Sequence, residues 1–320
     1  MDVCLMIEGQ EGVSWPQWVD LARACEDHGL QGLYRSDHYL SFDEPHERGA
    51  LDAWATLSAL AAITERIRLG TMVSPVTFRH PAVLAKSVVT ADHVSGGRVD
   101  LGIGAGWFER EHRAFGFAFP SDADRIEILS EQVEVVHRLW DPDEDEVTFE
   151  GDHYRLEACP ALPKPVQAPH PPLILGGGAG PRAAALAARW ADEYNVVYQP
   201  PEDVAVARSR LSDACAAIDR DPSTLRLSLM TGVVIGRDPG EVRDRAAALL
   251  EHEGMSDEPE EAIERWRADR LVGTPDQIGA RLARYADAGI DRVLLQHLVH
   301  DDLDTIALIG EEIVPSAANL

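Results

Sequence analysis

Asp37 and His38 stand side by side where a strand-like run, Gly32 to Ser36, stops. An imidazole titrates near neutral pH, and a neighbouring carboxylate can orient it or tune its pKa, so the pair can hold and move a proton. An Asp-His pair is also common in plain turns, so its place in the fold has to decide. Adjacent residues on a strand point to opposite faces. Asp37 therefore reads either as the partner of His38 or as an anchor for the loop backbone.

Two glycine clusters could hold a ligand. PPLILGGGAGPRAAALAARWADEY, residues 171–194, runs strand, glycine turn, helix. Gly176, Gly177, Gly178, Ala179 and Gly180 would bring backbone N–H groups close to a ligand at a helix N-terminus, the usual recipe for a phosphate. LGIGAGW, residues 101–107, has the spacing GxGxG, without the ribose-binding acid of a dinucleotide fingerprint. Gly104 and Gly106 could leave room for a flat ring, or could serve packing. Asn195 could hydrogen-bond a cofactor hydroxyl. Glu8, Glu109 and His297 are candidate substrate contacts. His297 and His300 form HxxH but lack further ligands at suitable spacing, so no metal is expected.

Positioning these residues falls to alternating short apolar runs and helical patterns. Strand signals lie at 2–8, 32–36, 68–74, 99–103, 173–175, 194–198, 225–235 and 292–298. Helical patterns fall at 14–29, 53–63, 81–94, 125–140, 181–190, 275–288 and 303–313. Eight such units in 320 residues predict an α/β fold, a closed (β/α)8 TIM barrel over residues 1–320 as a single domain. Insertions are expected after strand four (about 141–171, with a hairpin at VTFEGDHYRL) and after strand seven (about 253–272). An open doubly wound sheet is the alternative. In a barrel, active sites form at the C-terminal strand ends, and Asp37, His38, Met72, Val73, both glycine clusters, Asn195 and His297 all lie there.

Composition narrows the function classes. A net charge of −26 repels phosphate backbones and disfavours nucleic-acid binding. No apolar run is long enough for a bilayer, and the N-terminus lacks a signal-peptide pattern. Cys4, Cys25, Cys159 and Cys215 are scattered, with neither a zinc nor a disulfide spacing, which suits a reducing cytoplasm. A homodimer is expected through apolar helices such as 125–140.

Six segments taken together resemble the bacterial luciferase-like flavin and deazaflavin oxidoreductases. They are SDHY (36–39), LGTMVSPVTFRHPAVLAK (69–86), SGGRVDLGIGAGWFEREHRAFG (95–116), RIEILSEQVEVVHRLW (125–140), LPKPVQAPHPPLILGGGAGP (162–181) and VGTPDQI (272–278). Within that superfamily the chain is most similar to the branch that uses coenzyme F420, a 5-deazaflavin. The resemblance implies that His38 lies by the reacting carbon as general acid/base, with Asp37 beside it. It implies a bulge at Met72-Val73, often a non-proline cis peptide, against which the ring leans. It implies a phosphate loop at Gly176 to Gly180; Gly104, Gly106, Trp107 and Asn195 are further candidates for the cofactor site. Trp107 departs from the pattern of some sugar-phosphate-oxidising relatives, which have glutamate there, and this argues against such a substrate; Glu109 could supply a carboxylate instead. The expected activity is F420-dependent hydride transfer to or from a small carbonyl, imine, alkene or alcohol. The alternatives are an FMN-dependent monooxygenase and a non-catalytic flavin-binding barrel.

Overall fold

The computed structural model describes residues 1–42 and 48–320. Asp43, Glu44 and Pro45, the acidic end of the Asp37-His38 stretch, lie outside those residues. Eight parallel strands close into a barrel: β1 (Asp2–Ile7), β2 (Gly32–Arg35), β3 (Arg68–Thr71), β4 (Val99–Gly104), β5 (Leu173–Gly176), β6 (Glu193–Val197), β7 (Arg226–Ile235) and β8 (Arg292–Gln296). Each pairs with the next, and β8 returns to β1 with Asp2 opposite Arg292 and Met6 opposite Gln296. The open-sheet alternative is thereby excluded.

Helices cover the outside, and the caps explain where several begin. Ser14 and Gln17 form a capping box at the start of Trp15–Asp27, and Asp52 accepts from the Ala55 N–H at the start of Ala53–Ala61. Pro81 opens Pro81–Ser95 and Gly96, at φ 68°, closes it. The main core lies between this layer and the strands, with Trp18, Leu57, Val88, Val136 and Leu282 buried in it. The apolar face of Asp122–Trp140 is used up there: Leu129, Val133, Val136 and Leu139 are buried within the chain. Ile126 and Ile128 on the same helix stay partly exposed.

Between Asp122–Trp140 and β5 lies an antiparallel hairpin, Glu146–Glu150 with Arg155–Pro160. After β7 come the helices Pro239–His252 and Pro259–Trp266, then a short strand, Leu271–Gly273, that pairs with the end of β7. This strand and the helix Glu109–Phe115 have too little periodicity to be read from sequence.

Alternation along the strands sorts the barrel interior into levels. On β8, Arg292, Leu294 and Gln296 fall in one phase; on β1, Cys4 and Met6 do, and Glu8 follows just past the strand end. At the lower end Arg292 reaches Glu193 at 2.9 Å, the Tyr34 hydroxyl at 2.9 Å and Asp100 at 3.4 Å, and Arg68 also pairs with Asp100. Above this network Met6, Ile174, Met230 and Leu294 make an apolar plug. The space above the plug is where the candidate residues meet.

Candidate active site

A cavity of roughly 500 Å³ sits on the plug, and every strand end contributes to its wall. Glu8 follows β1, Ser36 and His38 follow β2, and Met72 and Val73 follow β3. Gly104 and Gly176 end β4 and β5. Asn195 comes from β6, Met230 from β7 and Gln296 from β8. Gly106, Trp107 and Gly177 also line it, so ten of the residues singled out from sequence meet around one space: Glu8, His38, Met72, Val73, Gly104, Gly106, Trp107, Gly176, Gly177 and Asn195.

His38 is 9% exposed. Its Nδ1 lies 2.8 Å from Oε2 of Glu111, which is fully buried. The other carboxylate oxygen of Glu111 accepts the backbone N–H groups of Tyr39 and Leu40, the latter at 3.0 Å. Three donors thus fix this carboxylate, and the carboxylate fixes the imidazole with Nδ1 as donor. Nε2 is then the nitrogen left for the cavity. Burial disfavours the imidazolium, but the hydrogen bond and charge of Glu111, helped by Glu8 and Asp37, outweigh it and raise the His38 pKa above its ordinary value. Replacing Glu111 with glutamine removes the anion and keeps the burial. The His38 pKa should then fall below the ordinary histidine value, read by NMR titration of the ring proton; an unchanged pKa would show that Glu111 does not set it.

Asp37 turns away from His38, as strand alternation demands. It accepts from Arg79 and from the Ser74 hydroxyl, and Arg79 also pairs with Asp52 at 2.6 Å. Its role toward His38 is limited to a minor favourable charge. The orienting acid is Glu111, which sequence reading missed. Glu109 is exposed on the same helix and does not line the cavity. Helical phase explains this: two residues on an α-helix are about 200° apart, so Glu109 and Glu111 face opposite ways. His297 also departs from expectation. One residue past Gln296, it faces outward into a separate small cavity of about 30 Å³ with Arg245 and Asp302, where burial lowers its pKa to about 4.

Met72-Val73 is a cis peptide. A Cβ on Gly104 would stand 2.7 Å from the Val73 side chain, so the missing side chain makes room for Val73, and the glycine serves packing as well as lining. In the second glycine cluster Gly177 has φ 144° and Ala179 φ 50°. The Ala179 N–H donates to the Tyr194 hydroxyl at 2.9 Å, which holds the bend in place. Gly178, Ala179 and Gly180 lie beyond the cavity wall. A Cβ on Gly178 or Gly180 would meet nothing within 4 Å, so that side of the loop is open where Pro181–Trp190 begins.

Two further groups complete the site. Asn195 donates to Ser228 at 2.9 Å, but its buried Oδ1 has no partner among the described residues. Tyr198, at φ 50°, donates to Gln296, and Gln296 donates to Glu8 at 2.6 Å. A non-glycine residue held in the left-handed region beside a cavity is a common mark of function. Among the described residues no group of three His, Cys, Asp or Glu side chains is placed to hold a metal.

Comparison with known proteins finds relatives along most of the chain. The chain is 30% identical over 319 residues to an F420-dependent glucose-6-phosphate dehydrogenase of Nakamurella multipartita, covering 92% of this chain and 91% of that one. Its fold matches an F420-dependent secondary alcohol dehydrogenase solved with an F420-acetone adduct (TM-score 0.82, 21% identity, 99% and 98% covered). It also matches a monooxygenase from Streptomyces bottropensis (TM-score 0.81, 25% identity, 98% and 99% covered). The model of the luciferase-like monooxygenase family matches residues 3–292. The chain belongs to the luciferase-like monooxygenase family.

Proposed function

We propose that this chain is a coenzyme F420-dependent oxidoreductase that moves a hydride between the deazaflavin and a small organic substrate, a carbonyl, imine, alkene or alcohol. One observation carries the reading. An imidazole locked through Nδ1 by a buried carboxylate turns its other nitrogen toward the same cavity that reaches the glycine bend.

The residues present fit the cofactor. Met72, Val73 and Gly104 line the cavity together, and the resemblance assigns the ring to this wall. The unpartnered Asn195 Oδ1 is an acceptor for a ring or side-chain donor. The open side of Gly178 and Gly180, at a helix N-terminus, suits a phosphate. Coenzyme F420 supplies hydride transfer when bound. The protein's part is to orient, to exclude water and to balance one proton. In the reducing direction protonated His38 gives that proton from Nε2 to the substrate oxygen or nitrogen, or to the second carbon of an alkene. Its raised pKa extends the protonated form to higher pH than an ordinary histidine, so the reducing rate falls as pH rises through that pKa, and the oxidising rate rises.

The N. multipartita relative, which its name marks as F420-dependent, supports this reading. The test is an anaerobic assay of F420 with carbonyls, imines, enones and secondary alcohols, followed by absorbance. Turnover without oxygen is expected; turnover that needs reduced FMN and oxygen would make the chain a monooxygenase instead. The chain is further proposed to act in the cytoplasm as a homodimer. All four cysteines are free thiols, and Val83 and Val94 leave apolar area on the outside of Pro81–Ser95. No helix of the described residues is long and apolar enough to cross a membrane.

A further inference from the structure

The cavity has a chemical character that narrows its substrate. Trp107 is 63% exposed and Phe42 37%, both at the rim. Their rings lie 5.3 Å apart, Phe108 stacks on Trp107 at 5.3 Å, and both Trp107 and Phe42 meet the His38 ring edge-on, at 5.8 and 5.1 Å. These contacts put Trp107 on the imidazole side of the cavity, away from the glycine bend. Large aromatic faces left open beside a proton-handling group offer stacking area and little else.

Charge points the same way. No Lys or Arg lines the cavity among the described residues, and residues 43–47, DEPHE, contain none. The one carboxylate in the wall among the described residues is Glu8. It accepts from Gln10 at 2.9 Å and Gln296 at 2.6 Å and has no cation within ion-pair distance among the described residues. Each oxygen keeps a lone pair for another donor. An adjoining recess of about 360 Å³ shares Glu8, Phe42 and Gln296 and does hold Arg48 and Arg270. Arg48 pairs with Glu11 at 2.9 Å and donates to the His252 carbonyl, while Arg270 lies over the rings of Tyr198 and Trp266. With Glu8, Glu11 and Glu253 around it, the recess gives an anion no surplus of positive charge.

We propose that the site selects a planar, uncharged or cationic substrate bearing an O–H or N–H donor, gripped by Phe42 and Trp107 and anchored on Glu8, and that it rejects phosphorylated substrates. This rests on the cavity being the hydride-transfer site, and it separates the chain from a relative that oxidises glucose 6-phosphate. A buried carboxylate facing a substrate anion in a low-dielectric pocket repels it, whereas a donor gains a charge-assisted hydrogen bond.

Calorimetric titration with three probes, with and without saturating F420, tests it. 2-Naphthol and 2-naphthoate share shape but differ in charge, and glucose 6-phosphate is anionic and not planar. In both forms of the protein 2-naphthol should bind at least tenfold tighter than 2-naphthoate, with no measurable binding of glucose 6-phosphate. Glu8→Gln should shrink the naphthol-naphthoate ratio at least fivefold, and Trp107→Ala should weaken 2-naphthol at least tenfold. Equal or tighter binding of either anion to the wild type would overturn the proposal. Failure of F420 itself to bind would instead overturn the cofactor reading, since the charge preference is also read without it.

Discussion

Replacing His38 with alanine should lower kcat by ~10²–10⁴-fold while F420 affinity stays within about threefold of wild type. The expectation follows from where the side chain is held. Nδ1 is committed to Glu111 at 2.8 Å, so the ring cannot turn freely, and only Nε2 is free to serve a reacting atom. The proposed cofactor walls come from other strands, at Met72, Gly104, Gly176 and Asn195, and alanine at 38 leaves them standing. His38→Gln keeps a hydrogen-bonding group but cannot cycle a proton, so it should resemble alanine in kcat. Steady-state kinetics beside a fluorescence titration of F420 separate the two effects. A loss confined to F420 affinity, with kcat intact, would make His38 a binding residue.

Replacing Arg292 with leucine should cost ~3–5 kcal/mol of folding free energy and leave kcat unchanged. Arg292 is buried at the lower end of the barrel, on the far side of the apolar plug from the cavity. Burial opposes its charge, but Tyr34, Glu193, Cys4 and Asp100 hold its pKa well above the usual arginine value. Its loss leaves Glu193 without an ion pair among the described residues, with only the more distant charge of Arg226; Asp100 keeps Arg68. Removing one member of a buried network is costly because the survivor stays desolvated. Adding Glu193→Leu to Arg292→Leu should therefore recover part of the loss, so the double variant falls short of the sum of the singles. Urea unfolding measures this. A single-variant cost under about 1 kcal/mol, the range of an exposed pair, would show that the network does not hold the lower end together.

These two expectations reflect how the fold assigns work to its ends, and the sequence displays that unevenly. The barrel was legible because strand and helix periods alternate eight times with glycine and proline stops between them. His38 was legible because it follows a strand end, where this architecture builds its sites. The phase of Gly32, Tyr34, Ser36 and His38 carries the same information, and it separates Asp37 from His38. Glu111 was hidden: it comes from a short helix 73 residues away, and only tertiary packing brings it to the imidazole. A helical-phase check on Glu109 and Glu111 could have favoured Glu111, had that helix shown a period. His297 lies one residue out of phase on β8, and its neighbour Gln296 is the one that lines the cavity. Tyr198 leaves no local signal, since its φ of 50° is set by the turn it makes after β6.

The central claim is that the cavity lined by His38, Met72, Asn195 and Gly176 receives a deazaflavin. The most direct measurement is a fluorescence titration of the purified protein with F420 and, in parallel, with FMN, repeated on an Asn195→Leu variant that removes the unpartnered acceptor. Saturable binding of F420, tighter than FMN and weakened at least tenfold in the variant, is the predicted result. Absence of F420 binding, or binding that the Asn195 substitution leaves untouched, would contradict it.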